Sequence, residues 1–428
     1  MLPLNKKNRD MFSNKYISIL LGCLMMLPSV MKAQNNSSPY SVLGIGDIES
    51  SSFNKYSGMA NAGIALGDDR YINNSNAASL TQLRQHFFTF ETSLRLKQVF
   101  YSGAGVIAPD NKTTDLAFRR VNLAAKLTKN WGSSLGLMPF STAAFNFSST
   151  KNIQGTLVGV AATYKGEGGI NQFYWSNGYK LTKNTSIGVT SSLLFGSLTQ
   201  TEDIVGNSLT SDLVTKSSIF LRNYYFNFGL QSRLKLGKKW MSTYGITYSP
   251  KTSLFAEHNL NVTDGATVIK NEVTKNDFFT LPDTYNAGIA LINKGTYIYT
   301  VNAQVQNWSA LKYAGSNYQL VNSNRLSLGF QHSQRSRTSY GAEYEKGFVQ
   351  LGLYAGNSYL KLDNQQVTDF GGSIGFSRNS KSSPLGYVIS LEAGRRGTTS
   401  TAQLRENYFN INLTFSYLEF LFGGTKYF

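Results

Sequence analysis

Leu127-Thr128-Lys129-Asn130 decides the fold, because it comes back three times in altered form. The copies are Leu181-Thr182-Lys183-Asn184, Leu236-Gly237-Lys238-Lys239 and Ile292-Asn293-Lys294-Gly295. They follow one another at 54, 55 and 56 residues, and each ends one alternating apolar/polar run and begins another. Turns spaced so regularly between period-two runs are what stacked β-hairpins produce. If all four lie on one side of a sheet, every interval holds an even number of strands. The pattern is that of an up-and-down sheet.

The runs between the turns give its faces. Near the C-terminus Phe409, Ile411, Leu413, Phe415 and Tyr417 alternate with Tyr408, Asn410, Asn412, Thr414 and Ser416. Strand period is two, so one face is apolar and the other almost wholly polar. Val121, Leu123, Ala125 and Leu127 oppose Arg120, Asn122, Ala124 and Lys126 in the same way, and Tyr297, Tyr299 and Val301 oppose Thr300 and Asn302. Parity between the turns predicts fourteen strands: 86–101, 118–128, 131–147, 169–181, 185–198, 218–236, 240–256, 281–292, 297–308, 325–333, 347–359, 369–377, 385–394 and 406–418. Short periplasmic turns are expected at 129–130, 182–184, 237–239, 293–296 and 378–384, with a longer one at 334–346. The opposite connections, among them 199–217, 257–280 and 360–368, read as outer loops. Gly155 to Tyr164 also looks like a strand, and parity makes it a loop excursion or an extension above the membrane.

Residues 1–33 read as a signal peptide. Lys6, Lys7, Arg9 and Lys15 precede an apolar run from Tyr16 to Val30, and Ala33 offers a cleavage site. The only cysteine, Cys23, lies in this segment, so a mature chain starting near Gln34 has no disulfide and no thiolate site. No later run of about twenty apolar residues would cross a membrane as a helix. Export, alternation and 52 Phe and Tyr residues place the chain in a bacterial outer membrane. In hydrocarbon every backbone group must pair, so the strands have to close. The expected fold is all-β: a fourteen-stranded antiparallel transmembrane β-barrel over 85–428, with lipid against the apolar face.

Net charge is +17. Such a balance favours contact with anionic lipid or lipopolysaccharide, and the basic residues are scattered through turns without a stripe for nucleic acid. His86, His258 and His332 have no nucleophile or orienting partner at short spacing. No enzyme activity, cofactor or metal is expected.

Residues 34–84 do not alternate. They read as a small-residue N-terminal hatch or plug for the lumen, since a barrel of this size encloses space that water, a ligand or a plug must fill. Gly63-Ile64-Ala65 followed by Asp68 and Asn76-Ala77-Ala78-Ser79-Leu80 resembles the hatch of the FadL-type outer-membrane transporters of long-chain fatty acids and hydrocarbons. Ser38-Pro39-Tyr40-Ser41, Gly166-Glu167-Gly168-Gly169 and Gly394-Arg395-Arg396-Gly397 resemble the Bacteroidetes branch of that family. This chain has Ala77 where the family hatch usually has proline. The resemblance implies a hatch containing Gly63, Asp68, Asn76, Ala77 and Ala78, and a lateral opening at a kink in the third strand.

Pro139 lies inside that third strand, and proline belongs at a bulge or an edge. By alternation Met138 and Phe140 face inward there. The expected function is uptake of small hydrophobic, fatty-acid-like molecules through the hatch and the lateral opening. The alternative is a non-transporting accessory barrel with protein partners in a larger outer-membrane complex for secretion or barrel assembly.

Overall fold

Alternating side chains close into one ring in the computed structural model, which describes residues 38–49, 53–103, 111–152, 159–205, 211–311, 318–337, 343–379, 384–400 and 403–421. The segment read as a signal peptide, residues 1–33, lies outside the described residues. The ring has fourteen antiparallel strands. In chain order they are β1 (Phe87–Ser102), β2 (Lys112–Lys126), β3 (Trp131–Thr142, continued by Phe145–Asn152), β4 (Gly159–Lys180) and β5 (Thr185–Ile204). Next come β6 (Leu213–Leu236), β7 (Trp240–Ser249, continued by Thr252–Asp264), β8 (Thr267–Leu281, continued by Thr284–Asn293), β9 (Tyr297–Gln306) and β10 (Ser323–Arg337). The last four are β11 (Glu343–Leu362), β12 (Gln365–Asn379), β13 (Leu385–Arg396) and β14 (Arg405–Phe420). β14 pairs with β1 from Arg405↔Ser102 to Phe420↔Phe87, which closes the wall.

The faces follow the alternation. Phe409, Phe415 and Tyr417 are exposed while Asn410, Asn412, Thr414 and Ser416 are buried, and Val121 and Leu123 are exposed while Arg120, Asn122 and Ala124 are buried. The apolar set faces lipid and the polar set faces the lumen.

The repeated turns are built in two ways. Thr128 Oγ1 accepts from the backbone N–H of Asn130 and Trp131, and Thr182 Oγ1 accepts from Asn184 and Thr185 in the same positions. A threonine hydroxyl thus stands in for a backbone acceptor. The third and fourth copies use positive φ instead, at Gly237 (68°), Lys294 (47°) and Gly295 (66°).

Several expected loops are strand. The 257–280 stretch is a hairpin joining Thr252–Asp264 to Thr267–Leu281, and 360–368 is a tight turn at Asp363 and Asn364 (φ 38° and 67°). The 199–217 connection shrinks to the gap between Ile204 and Leu213, and the supposed long turn at 334–346 shrinks to the gap between Arg337 and Glu343. Thr, Asn, Lys and Glu alternate there without an apolar face, because these strands rise out of hydrocarbon. Of the run from Gly155 to Tyr164, Gly159 to Tyr164 is likewise an extension, the first part of β4, and 155–158 lie outside the described residues.

Prolines mark the breaks in the wall. Pro250 and Pro282 interrupt β7 and β8 opposite each other, between the pairs Ser249↔Thr284 and Thr252↔Leu281. Pro139 sits at a register shift, with Pro139↔Asn171 followed by Ser141↔Ile170, so Phe140 is the bulged residue.

Candidate functional site

The described part of 38–84 packs against strands around the whole ring. Its short 3-10 turns are Pro39–Val42, Lys55–Met59 and Ala77–Gln82, capped by Ser38, Asn54 and Asn76. Luminal glycines let it approach the wall. A Cβ on Gly58 would stand 2.6 Å from Gly375 N and 2.7 Å from Gln350 Oε1. Gly58→Ala is therefore expected to lower stability by about 1–3 kcal/mol, because backbone cannot yield as a flexible side chain can. A urea midpoint equal to that of the parent protein would contradict this contact.

Several of the residues singled out in the sequence come together. Gly63 O accepts from Asn73 Nδ2 (2.8 Å), and Asn76 Nδ2 donates to Ile64 O and to Leu230 O on β6 (both 3.1 Å). Asn76 Oδ1 accepts from Ala78 N, and Ala77 and Ala78 are buried against β5. Ala77 occupies the first helical position, where an unpartnered N–H is normal and proline is tolerated. The turn therefore forms without it. Asp68 lies apart, in an ionic clamp. Met138 is buried with Phe53 and Tyr174, and Phe140 sets its ring edge-on to Tyr225 at 5.6 Å.

Sequence reasoning missed the ionic groups that hold the segment. Lys55 Nζ bridges Asp68 Oδ2 (2.6 Å) and Glu345 Oε1 of β11 (2.7 Å), with the Phe348 ring 4.6 Å away. Glu91 pairs with Arg120, and both side chains are 0% exposed. Asp47 takes Arg396 Nη1 at 2.8 Å. Glu49 receives Arg95 at 2.9 and 3.1 Å and Arg119 at 2.9 Å.

The Glu49 clasp lies at an interruption of the wall. β2 and β3 pair only from Val121↔Leu137 to Lys126↔Gly132. Above that seam, β2 pairs with β1 alone, and β3 takes Asp47 and Ile48 as partners through Thr142 and Ser141. Glu49 N donates to Phe140 O (2.9 Å), and the Glu49 carboxylate reaches across to Arg95 on β1 and Arg119 on β2. Arg119 can take part because of a second bulge. Ser93 pairs with Arg120 and Leu94 with Phe118, so Arg119 and Arg120 both turn inward. Strict alternation would have left Arg119 in lipid. A charged residue on the lipid face of a strand was the available signal.

Below the Asp47–Glu49 stretch lies a cavity of about 450 Å³. Met138, Phe140 and Trp308 line it together with polar groups such as Arg95, Asn227, Gln304 and Glu392, and the two kinds of surface are about equal. Burial pushes the Glu49 carboxyl up, yet Arg119 and Arg95 outweigh burial and hold it well below the usual carboxylate range. Asp68 is also lowered, burial being overcome by Lys55. Burial lowers Lys55, and the two carboxylates more than reverse this. A depressed carboxylate stabilises above its ordinary pKa, near 4, and that stability is lost as pH falls through the folded value. A raised lysine stabilises below its ordinary pKa, near 10.4, and that stability is lost as pH rises through the folded value. Protection of 38–84 is therefore expected to stay flat from about pH 5 to pH 10. Hydrogen exchange corrected for intrinsic rate checks this, and a steep loss between pH 6 and pH 9 would contradict it.

A comparison with curated proteins finds no match. Among solved structures the fold is similar to a Pseudomonas aeruginosa FadL homologue (TM-score 0.57, 12% identity, 88% of this chain and 100% of that one). It is also similar to the Pseudomonas putida toluene transporter TodX (TM-score 0.53, 15% identity, 89% and 100%). The CymD monoaromatic hydrocarbon channel is a third (TM-score 0.51, 12% identity, 85% and 96%). At these identities the likeness is one of fold, that of outer-membrane β-barrels. By sequence, the BamG family matches residues 14–427, and the chain belongs to that family.

Proposed function

We propose that the chain is an accessory barrel of a larger outer-membrane complex for protein secretion or barrel assembly, in a Gram-negative bacterium, and that it passes no substrate of its own. The observation that supports this reading is the Glu49 clasp, which stitches the interrupted β2–β3 seam with buried, paired charges. The lumen has an apolar cluster around Ile170, Leu194, Leu254 and Trp308, but the Asp47–Glu49 stretch and Tyr40 pack into it, and the ion pairs and amides beside it would be stranded by a hydrocarbon chain. Membership of the BamG family over nearly the whole sequence supports it too, because the likeness to hydrocarbon channels is of fold alone. Gentle solubilisation of native membranes should yield the chain with a stoichiometric protein partner. A lone monomer whose deletion abolishes hydrocarbon uptake would overturn this reading.

A second reading, uptake of small fatty-acid-like molecules, has one observation in its favour. The seam above Val121 is unzipped, and Phe53, Met138 and Tyr174 form an apolar patch behind it. Here 38–84 would serve as hatch and Glu49 as its catch. Glu49→Gln should then raise entry of toluene into cells several-fold, and unchanged entry would remove this reading.

A further inference from the structure

The repeated turns have a property that neither reading uses. Stretches 126–131, 180–185, 232–240 and 293–297 contain nine cations and no carboxylate. These turns are neighbours on one rim. Lys180 N donates to Asn130 O, Arg233 N to Asn184 O and Lys294 N to Lys239 O. Each copy carries lysine at its third position, so Lys129, Lys183, Lys238 and Lys294 form an exposed outer arc. Their spacing is about 10 Å, twice the distance between paired strands. An inner arc lies behind them on the luminal face: Lys126, which donates to Thr81 O at 2.7 Å, then Lys180, Arg233 and Lys235. Among the described residues none of these cations has a carboxylate partner, whereas the buried cations Lys55, Arg95, Arg119 and Arg120 and the partly buried Arg396 all have one.

Short turns of outer-membrane barrels face the periplasm. We propose that this two-tiered cationic sector is the docking face for an acidic polypeptide segment of a periplasmic partner, which names the partner chemistry left open by the accessory-barrel reading and rests on it. Phospholipid could reach only the outer arc. Trp131, Tyr179, Trp240 and Tyr297 mark the interface beside it as an aromatic girdle. The inner arc points into the mouth, away from any headgroup. A polyanion that crosses both tiers has to come from the aqueous side, and an extended acidic chain, rising about 3.3 Å per residue, passes from one outer lysine to the next in about three residues. Such a surface steers association and makes it salt-dependent.

The test uses the full chain and a variant with Lys129, Lys183, Lys238 and Lys294 changed to Gln, each in phosphatidylcholine nanodiscs. Heat-dependent gel migration confirms that both barrels are folded. A fluorescent oligoglutamate peptide should bind the parent protein, oligoglutamine should not, and the variant should lose at least about tenfold in affinity. Equal binding by parent and variant overturns the proposal. So does complete displacement of the peptide when phosphatidylglycerol is added to the discs, because lipid would then own the surface. In parallel, both forms are recovered from native membranes. A partner retained equally by the variant overturns the docking face and leaves the accessory reading standing. Peptide binding with no partner from either form overturns the accessory reading alone.

Discussion

Replacing Arg120 with alanine is expected to remove about 3–5 kcal/mol of folding stability, because it strands a fully buried carboxylate. Arg120 lies on β2, and its Nη2 pairs with Glu91 on β1, both side chains being 0% exposed. Its Nη1 donates to Asn74 Oδ1 at 3.0 Å, while Glu91 Oε1 accepts the backbone N–H of Ile72 at 2.9 Å. The pair therefore does two things at once: it neutralises itself inside the wall and holds 72–74 of the N-terminal segment against it. Without Arg120 the carboxylate must take up a proton or draw in water, and either response frees 72–74. Urea unfolding in micelles should show a lower midpoint with little change in slope. Protease access to 53–84 should rise as well. Arg120→Met combined with Glu91→Gln should recover much of the loss, because an uncharged pair leaves nothing uncompensated. If the single variant loses less than about 1 kcal/mol, the pair is not carrying buried charge.

The contrast between what was legible and what was not follows from sequence separation. Strand faces are a local signal, so Val121, Leu123, Asn410 and Asn412 could be assigned from their neighbours alone, and so could the turns that count the strands. The strand extensions within 257–280 were misread as a loop because they leave the membrane. Beyond hydrocarbon no apolar face is needed, and the alternation that marked the other strands disappears. Arg119 breaks the alternation of β2 because one bulge reverses the parity of everything beyond it; its charge at a lipid-facing position hints at the bulge, and the register with β1 places it. The clasp and clamp could not be read at all. Glu49 meets Arg95 and Arg119, and Lys55 meets Glu345, across intervals that no period connects. The small-residue motif 63–80 was legible as a unit because its two halves bond to each other, through Asn73 and Asn76. What it packs against was not.

Lys55→Met should produce the second large effect, and its form separates a structural tether from a passive contact. Lys55 is buried, with side-chain exposure of 3%, and it is the common partner of Asp68 on the segment and Glu345 on the wall. Methionine keeps most of the volume and the contact with Phe348, so the variant tests the charge more than the packing. Its removal leaves two carboxylates on the same small site. Asp68 Oδ1 still accepts from the N–H groups of Arg70 and Tyr71 (2.8 and 2.9 Å), and Glu345 Oε2 still accepts from Ser333 Oγ (2.8 Å). Neither can readily swing away, so they repel across the gap that the ammonium filled. A loss of about 2–4 kcal/mol is expected at neutral pH. The repulsion needs both charges, so the variant should regain stability as pH falls toward 4, where the parent protein gains nothing. Glu345→Gln in the Lys55→Met background should give the same recovery at neutral pH, because one charge is then enough to silence the pair. Hydrogen exchange over 53–71 reads the local part of this loss, and urea unfolding reads the global part. A tether predicts that both fall together. Loss of exchange protection with an unchanged urea midpoint would instead make the segment a separately opening unit. The same substitution would then be the means of emptying the lumen without unfolding the barrel.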